Sequence, residues 1–270
     1  MASFYTTDFE FDGKSSQEFN LKIINFDSSG ISSGIGSSDV EILSQRVLRK
    51  AKPYFLGRIQ STNLEFPLTF GTASPISGMD RDLISAWLFG RNTYLPLYIL
   101  QDDLNGAMFN CFLTKPEPTY IGNIQYAFKC NVTCDSPFAY SPIKVVTQTF
   151  SASAIEYYDF EIYNSSSDDD FLYPVVEFEL NTIGDYFKLK NLDDTSGSVA
   201  REFIFTGLQA SEKITVDNDI QTITSDTGLL RLPLFNKKWF RLLPRQNRLH
   251  IESGIGTFTI TYRERLKIGG

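Results

Sequence analysis

At 270 residues the chain is long enough for two domains with separate cores, and 42% hydrophobic with 21% charged residues excludes a wholly disordered protein. A net charge of −7 argues against nucleic acid as a ligand, because phosphate binding calls for a basic surface. No apolar run approaches the roughly 18 residues of a membrane-spanning helix, and residues 1–12 have neither the basic segment nor the apolar core of a signal peptide, so the chain is expected to fold in a cytoplasm.

Phe4, Phe9 and Phe11 open a strand, Asp12 and Gly13 make a tight turn, and Phe19, Leu21, Ile23 and Ile24 form a second apolar run. Asp-Gly between such runs is a hairpin signal. Over residues 27–39 glycine and serine dominate, which predicts a loop with little core. Val40, Ile42 and Leu43 then lead into a basic patch, Arg46, Arg49, Lys50 and Lys52, which reads either as a solvated arm or as one that grips a neighbouring subunit. Leu64, Phe66, Leu68 and Phe70 alternate with other residues at the period of a half-buried strand. One helix follows, with Asp80 placed to cap it and Leu83, Ile84, Trp87 and Leu88 on one side, the pattern of a helix laid over a sheet. Strands are expected over 94–101, 108–113 and 123–133, the last with Ile124, Tyr126, Phe128 and Cys130 turned inward.

Pro137 and Pro142 stop strand pairing, which puts a domain boundary near residue 145 and divides the chain into 1–145 and 146–270. Tyr157, Tyr158, Phe160 and Ile162 begin a second set of strands. Residues 165–170, three serines and three aspartates, lack the spacing and closing glutamate of a calcium loop and read as an exposed hairpin loop. Val176, Phe178 and Leu180, then Phe187 and Leu189, then Phe203 and Phe205 continue the strand pattern. Lys213, Ile214, Thr215 and Val216 alternate before Asp217, Asn218 and Asp219, whose short polar side chains favour a turn. Phe258, Ile260 and Tyr262 share one face of a last strand. The fold class is therefore mainly β, with two β-sandwich domains, the first carrying one helix packed on its sheet and a belt-like arm.

Chemistry is sparse along this pattern. Cys111, Cys130 and Cys134 lie in or beside apolar strands, where cysteine acts as a small hydrophobe, and an odd count argues against a disulfide framework. Cys130 and Cys134 would share a strand face about 13 Å apart, too far for one metal ion. His250, the sole histidine, alternates onto the face of Glu252, which is expected to meet solvent. Gly30, Gly34 and Gly36 open no helix and so make no phosphate loop. Neither a metal, a cofactor nor a catalytic residue is assigned, although spacing alone leaves a glycosidase-type carboxylate pair open. Trp239, one of two tryptophans, is the candidate for stacking on a sugar; alternation places it beside Arg241 or, with a bulge, in the core.

The order of motifs resembles that of the distal tail (Dit) proteins of long-tailed, siphovirus-type bacteriophages of Gram-positive hosts. The resemblance is carried by Phe11, Asp12, Gly13, Lys14, Ser15 and Ser16; by Ile84, Ser85, Ala86, Trp87 and Leu88 followed by Leu95, Pro96 and Leu97; and by Cys134, Asp135, Ser136, Pro137, Phe138, Ala139 and Tyr140. Ile214, Thr215, Val216, Asp217 and Asn218, and then Phe235, Asn236, Lys237, Lys238 and Trp239, resemble the closing strands of that family. Where the family commonly has a proline-glycine turn before the last hairpin, this chain has Pro244, Arg245, Gln246 and Asn247. The resemblance implies a structural component of the virion tail tip, assembled in the host cytoplasm, whose first domain forms a homohexameric ring and whose second is a galectin-like sandwich projecting outward. Its implied partners are itself, the tail tube, the tail hub and baseplate or receptor-binding proteins, with DNA passing through the ring without specific binding and no membrane contact. Ile31, Ile35, Val40, Ile42, Leu43, Arg46 and Arg49 are the candidate subunit-interface belt. The competing reading is a carbohydrate-binding β-sandwich module that contacts the host surface through Trp239.

Overall fold

The computed structural model describes residues 7–24, 40–60, 63–150, 157–181, 186–252 and 255–268. The chain divides into two compact units, Met1–Ser141 together with Leu266–Gly270, and Pro142–Arg265. The sequence had placed that division near residue 145. Leu266 and Ile268 pack against the core of the first unit.

The first unit is built on β1 (Phe9–Phe11), β2 (Lys14–Ser15), β3 (Lys22–Ile23), β4 (Val40–Gln45), β5 (Tyr54–Gln60), β6 (Glu65–Gly71), α1 (Gly78–Phe89), β7 (Leu95–Ile99), β8 (Met108–Ile121), β9 (Ile124–Cys134) and β10 (Ala139–Tyr140). Its main sheet runs β2-β1-β7-β8-β9-β6-β3. The β1–β2 turn needs two left-handed residues, and Asp12 (φ 52°) and Gly13 (φ 71°) supply them. Ile23 also bridges Thr7 on the other side, so the two ends of the sheet meet and the inward side chains are sealed in. Phe9, Phe11, Phe66, Phe70, Leu97 and Phe109 fill that interior. The helix closes one side. Trp87 stacks on Phe9 with ring centroids 5.9 Å apart, and its indole Nε1 donates to the carbonyl of Phe11 at 3.0 Å, which satisfies the one polar atom the burial would otherwise strand.

Three expectations need correction in this unit. The helix cap is Ser77, not Asp80: Ser77 has extended backbone and accepts from the Asp80 amide, while its hydroxyl donates to the Asp80 carboxylate at 2.7 Å. Asp80 is thus the reciprocating partner of the cap, one turn further in. Leu83 is not in the apolar stripe but 53% exposed, leaving Ile84, Trp87 and Leu88 to cover the sheet. In β9 the inward set is Phe128, Cys130, Val132 and Cys134, whereas Ile124 is exposed and Gln125 and Ala127 are buried. The burial switches parity because Ile24 covers the opposite face here; a Cβ on Gly71 would stand 2.2 Å from Ile24 Cδ1 and 3.2 Å from Ala127 Cβ.

The second unit is a sheet-on-sheet sandwich of β11 (Lys144–Phe150), β12 (Tyr157–Asn164), β13 (Val175–Leu180), β14 (Tyr186–Ser196), β15 (Val199–Thr206), β16 (Lys213–Asp217), β17 (Thr222–Ser225), β18 (Arg245–Glu252) and β19 (Gly256–Tyr262). One sheet runs β11-β19-β13-β16-β17 and the other β12-β18-β14-β15. Strict alternation puts Phe178, Ile214, Val216, Phe258 and Ile260 of the first against Phe187, Leu189, Phe203, Phe205 and Ile251 of the second. Phe178 and Phe187 stack across the gap with centroids 4.0 Å apart and planes 8° from parallel. The Asp217 turn forms as its residues dictate, the Asp217 carboxylate accepting from the amides of Asp219 and Ile220.

Residues 165–170 are an exposed loop at Ser165, Ser167, Asp169 and Asp170, as expected, but not a hairpin. They pass from β12 in one sheet to β13 in the other, and Asp168 is buried with Arg265 Nε 2.9 Å from its Oδ2. Burial pushes the Asp168 carboxyl above its usual value, and the Arg265 charge only partly opposes that.

The Pro244–Asn247 turn also has a physical answer. Arg245 takes φ 72°, the conformation a glycine would hold without strain, and buried Asn247 secures it by donating to the carbonyls of Leu243 and Arg245 and accepting from the Leu243 amide. A left-handed residue with a Cβ costs about 1–2 kcal/mol. Arg245→Gly is therefore expected to raise the unfolding free energy by about 0.5–1 kcal/mol after the greater unfolded-state entropy of glycine is charged against it. Urea denaturation checks this, and a lower midpoint would refute the strain.

Candidate functional site

The strands β4 and β5 pair antiparallel with each other, from Val40 opposite Gln60 to Gln45 opposite Tyr54, and form a two-stranded sheet that joins no other described strand. The register slips between Leu43 and Ser44, where Gly57 and Phe55 are their respective partners and Leu56 is the extra residue of a bulge. The connection turns through Lys50, whose amide donates to the Val47 carbonyl at 3.1 Å, with Arg49 left-handed at φ 68°. Lys50 contacts the Tyr54 hydroxyl and sits 4.7 Å from the centre of that ring, which ties the loop to the second strand.

The strands of this hairpin carry large apolar side chains that are left bare. Ile42 is 67% exposed, Leu48 88%, Phe55 68% and Leu56 64%, and Tyr54 and Ile59 are exposed as well. Arg46, Arg49, Lys50, Lys52 and Arg58 against Glu41 give residues 40–60 a net charge of +4 in a chain whose total is −7. An isolated two-stranded hairpin is marginal in water, and large apolar side chains left exposed on it make it a candidate interaction site.

Of the expected belt residues, the structure brings Val40, Ile42, Leu43, Arg46 and Arg49 together on this hairpin, with Ile42, Arg46 and Arg49 exposed and Leu43 half-buried. Ile31, Ile35 and the glycine-serine stretch over 27–39 lie outside the described residues. The returning strand β5 was missed by sequence reasoning, and with it Tyr54, Phe55, Leu56, Arg58 and Ile59. The signal was present: Pro53 ends the basic patch, and an aromatic and aliphatic run follows it at once.

The remaining candidates sit in structural surroundings. Trp239 is half-buried at the edge of the second core, its ring edge-on to Phe235 with centroids 5.0 Å apart, while its carbonyl accepts from Arg201. His250 shares a face with Glu252 as expected, but only 17% of its side chain is exposed, because Nδ1 contacts the Asp159 carboxylate and Nε2 lies 3.5 Å from Glu252. Lys188 reaches the same Glu252 at 2.8 Å, and Lys190 bridges Glu252 and Glu202. Burial opposes ionisation of Glu252, but hydrogen bonds from Lys188 and Lys190 outweigh it and hold the carboxyl below the usual range. The net ties neighbouring strands of one sheet together.

Cys111 and Cys134 face each other across β8 and β9, and Cys130 lies on the latter strand. All three are free thiols, and burial pushes those of Cys130 and Cys134 up to about 12 and that of Cys111 higher still, which makes them poor nucleophiles. Among the described residues no three His, Cys, Asp or Glu side chains converge as a metal site, and no helix is long and apolar enough to cross a membrane.

Two family models match the sequence, a phage tail protein N-terminal domain over residues 4–136 and a phage tail C-terminal domain over residues 138–262. No curated protein sequence matches the chain. The fold is similar to that of SPP1 Dit (gp 19.1), described as a paradigm of the hub adsorption apparatus in Gram-positive infecting phages, with a TM-score of 0.67 at 12% identity over 96% of this chain and 99% of that one. It is also similar to a chain of the phage P2 baseplate in its activated conformation with Ca, with a TM-score of 0.54 at 10% identity over 98% of this chain and 100% of that one. The corresponding chain of the baseplate activated with Sr gives a TM-score of 0.51 at 10% identity over 98% and 99%.

Proposed function

This chain belongs to the phage tail protein family whose N-terminal and C-terminal domains it carries in succession, and from that premise we propose that it is a distal tail protein, six copies of which close into a ring at the tail tip. The ring joins the tail tube to the hub and baseplate, and the second unit holds baseplate or receptor-binding proteins. The protein works as a scaffold and runs no reaction. It is made and assembled in the host cytoplasm and remains in the virion.

The observation that carries this reading is the β4–β5 hairpin, a sheet of two strands with exposed Ile42, Phe55, Leu56 and Ile59. A permanent ring interface buries more than roughly 2,000 Å² per contact, and an arm that lies across a neighbouring copy adds such area without enlarging the body of the subunit. Val40, Ile42, Leu43, Arg46 and Arg49 belong to that arm, which continues through β5. An acidic total of −7 per copy suits a ring through which DNA passes without adhering.

Negative-stain electron microscopy of the purified protein, with mass photometry, tests the proposal. Rings of six copies are expected, alone or on adding the tail tube protein. Single particles that bind neither tube nor hub proteins would overturn it.

A further inference from the structure

Cys111 and Cys134 stand directly opposite each other on the paired strands β8 and β9, at the end where β9 stops. The amide of Asp135 donates to the Asn110 carbonyl at 2.9 Å, one position beyond each cysteine, while the Cys134 amide turns the other way, to the Leu64 carbonyl at 2.9 Å. That pattern identifies a non-hydrogen-bonded cross-strand pair, the kind whose α carbons come closest, at about 4.5 Å, with both side chains on one face. A disulfide needs α carbons about 4.4–6.8 Å apart. Both side chains are fully buried in the same core, and both thiols are free. Cys130 has no such place. It lies about 13 Å along the strand from Cys134, and the register slips opposite it, between Thr114 and Glu117.

We propose that Cys111 and Cys134 are a redox-sensitive pair that closes into a disulfide once the protein has left a reducing cytoplasm, stapling β8 to β9 at this end of the sheet. Thiols are kept reduced in a bacterial cytoplasm and meet oxidants outside it. The pairing geometry stands apart from the ring reading, whereas the change of compartment rests on it.

Hydrogen peroxide serves as the oxidant. One thiolate attacks a peroxide oxygen, the O–O bond breaks, and a sulfenic acid and a water form; the second thiol displaces the sulfenic hydroxyl, which leaves as another water. Two Sγ–H bonds are lost, one Sγ–Sγ bond is gained, and one peroxide becomes two waters. In the closed sheet neither sulfur meets solvent, and burial above all, with the Asp135 carboxylate adding to it, keeps both thiols protonated. The reaction therefore runs through local opening of the sheet end, where β10 is two residues long and meets β8 only at Tyr140 opposite Met108. Opening of that kind costs less than global unfolding, so closure is slow and the pair survives reduced until release.

The test uses the full-length protein, purified reduced and held in millimolar hydrogen peroxide at neutral pH, with thiols titrated in denaturant. The count is expected to fall from three to one, with the intact mass lower by two hydrogens, a peptide map joining positions 111 and 134, and all three thiols restored by dithiothreitol. The oxidised protein is expected to melt at least about 5 °C higher. Cys130→Ser should form the same link, and Cys111→Ser should form none. Three persistent thiols, a link through Cys130 or between copies, sulfinic acid in place of a link, or a melting midpoint that does not rise would overturn the proposal. If rings form and the thiols persist, the pair fails and the ring stands; if the pair links in a protein that makes no ring, the ring reading fails and the staple stands.

Discussion

Serine in place of Ile42, Phe55, Leu56 and Ile59 is expected to abolish ring assembly while leaving the melting curve of the subunit unchanged. In the single chain these side chains are exposed, so their loss removes no core contact and each substitution stays within about 0.5 kcal/mol of neutral. In an assembly that covers them, each buried apolar side chain contributes about 1.5–3 kcal/mol. Losing the equivalent of only two weakens each contact by about 3–6 kcal/mol, or some hundredfold to ten-thousandfold in dissociation constant. Mass photometry at fixed subunit concentration reads the loss, and thermal denaturation checks that the fold survives. Rings that persist in the variant would show that the hairpin is not the contact. A subunit that melts early would show instead that the hairpin supports its own unit.

The second large effect lies in the sandwich. Glu212 and Arg231 form a buried pair, Arg231 Nε donating to Glu212 Oε1 at 2.6 Å and Nη2 to Oε2, with the Ser225 hydroxyl and the Gln209 amide completing the carboxylate. Arg231→Met leaves that carboxylate buried without its counter-ion and is expected to destabilise the protein by about 3–5 kcal/mol. Adding Glu212→Gln removes the stranded charge and should restore a large part of the loss. A double variant no better than the single one would mean that packing, not charge, sets the cost.

The pair also fixes a pH dependence. Burial disfavours the ionised form of Glu212, but the hydrogen bonds from Arg231, Ser225 and the Gln209 amide prevail, so its folded pKa lies below the ordinary 4.5. A carboxyl depressed on folding contributes stability that is fully present above the unfolded value and is lost as pH falls through the folded one. Stability is thus expected to decline below about pH 4.5, and less steeply in the Glu212→Gln variant when both are followed by urea midpoints across pH 3–6.

Much of the fold could be read locally, since many core strands announced themselves by their own alternation, although β11 was not foreseen and the parity of β9 was misread. Leu64, Phe66, Leu68 and Phe70 all point inward, as do Phe258, Ile260 and Tyr262, and Asp12-Gly13 turns where it should. The failures have a common cause. Asp80 was a plausible cap until the chain direction made Ser77 the residue with extended backbone. Ile124 and Tyr126 matched the inward parity of their strand, but Ile24, distant in sequence, packs on the other face of the sheet there. Asp168 looked like part of a solvated acidic loop, and Arg265 nearly a hundred positions later is what buries it. Of the hairpin, the first strand and the basic turn were legible, while β5 was not, because a run such as Tyr54, Phe55 and Leu56 has the composition of an interior strand.

By itself, then, the order of residues determined that this is a mainly β protein, most of the side chains that fill its cores, and that its motifs resemble those of phage tail tips. Those properties depend on side-chain period and turn chemistry, which act over a few neighbouring residues. Only the tertiary structure decided which apolar side chains remain uncovered. Burial is a property of what the rest of the chain brings to a residue, and the β4–β5 pair is joined by no other described strand, so the same Phe and Leu that would be core elsewhere become a surface in search of a neighbour.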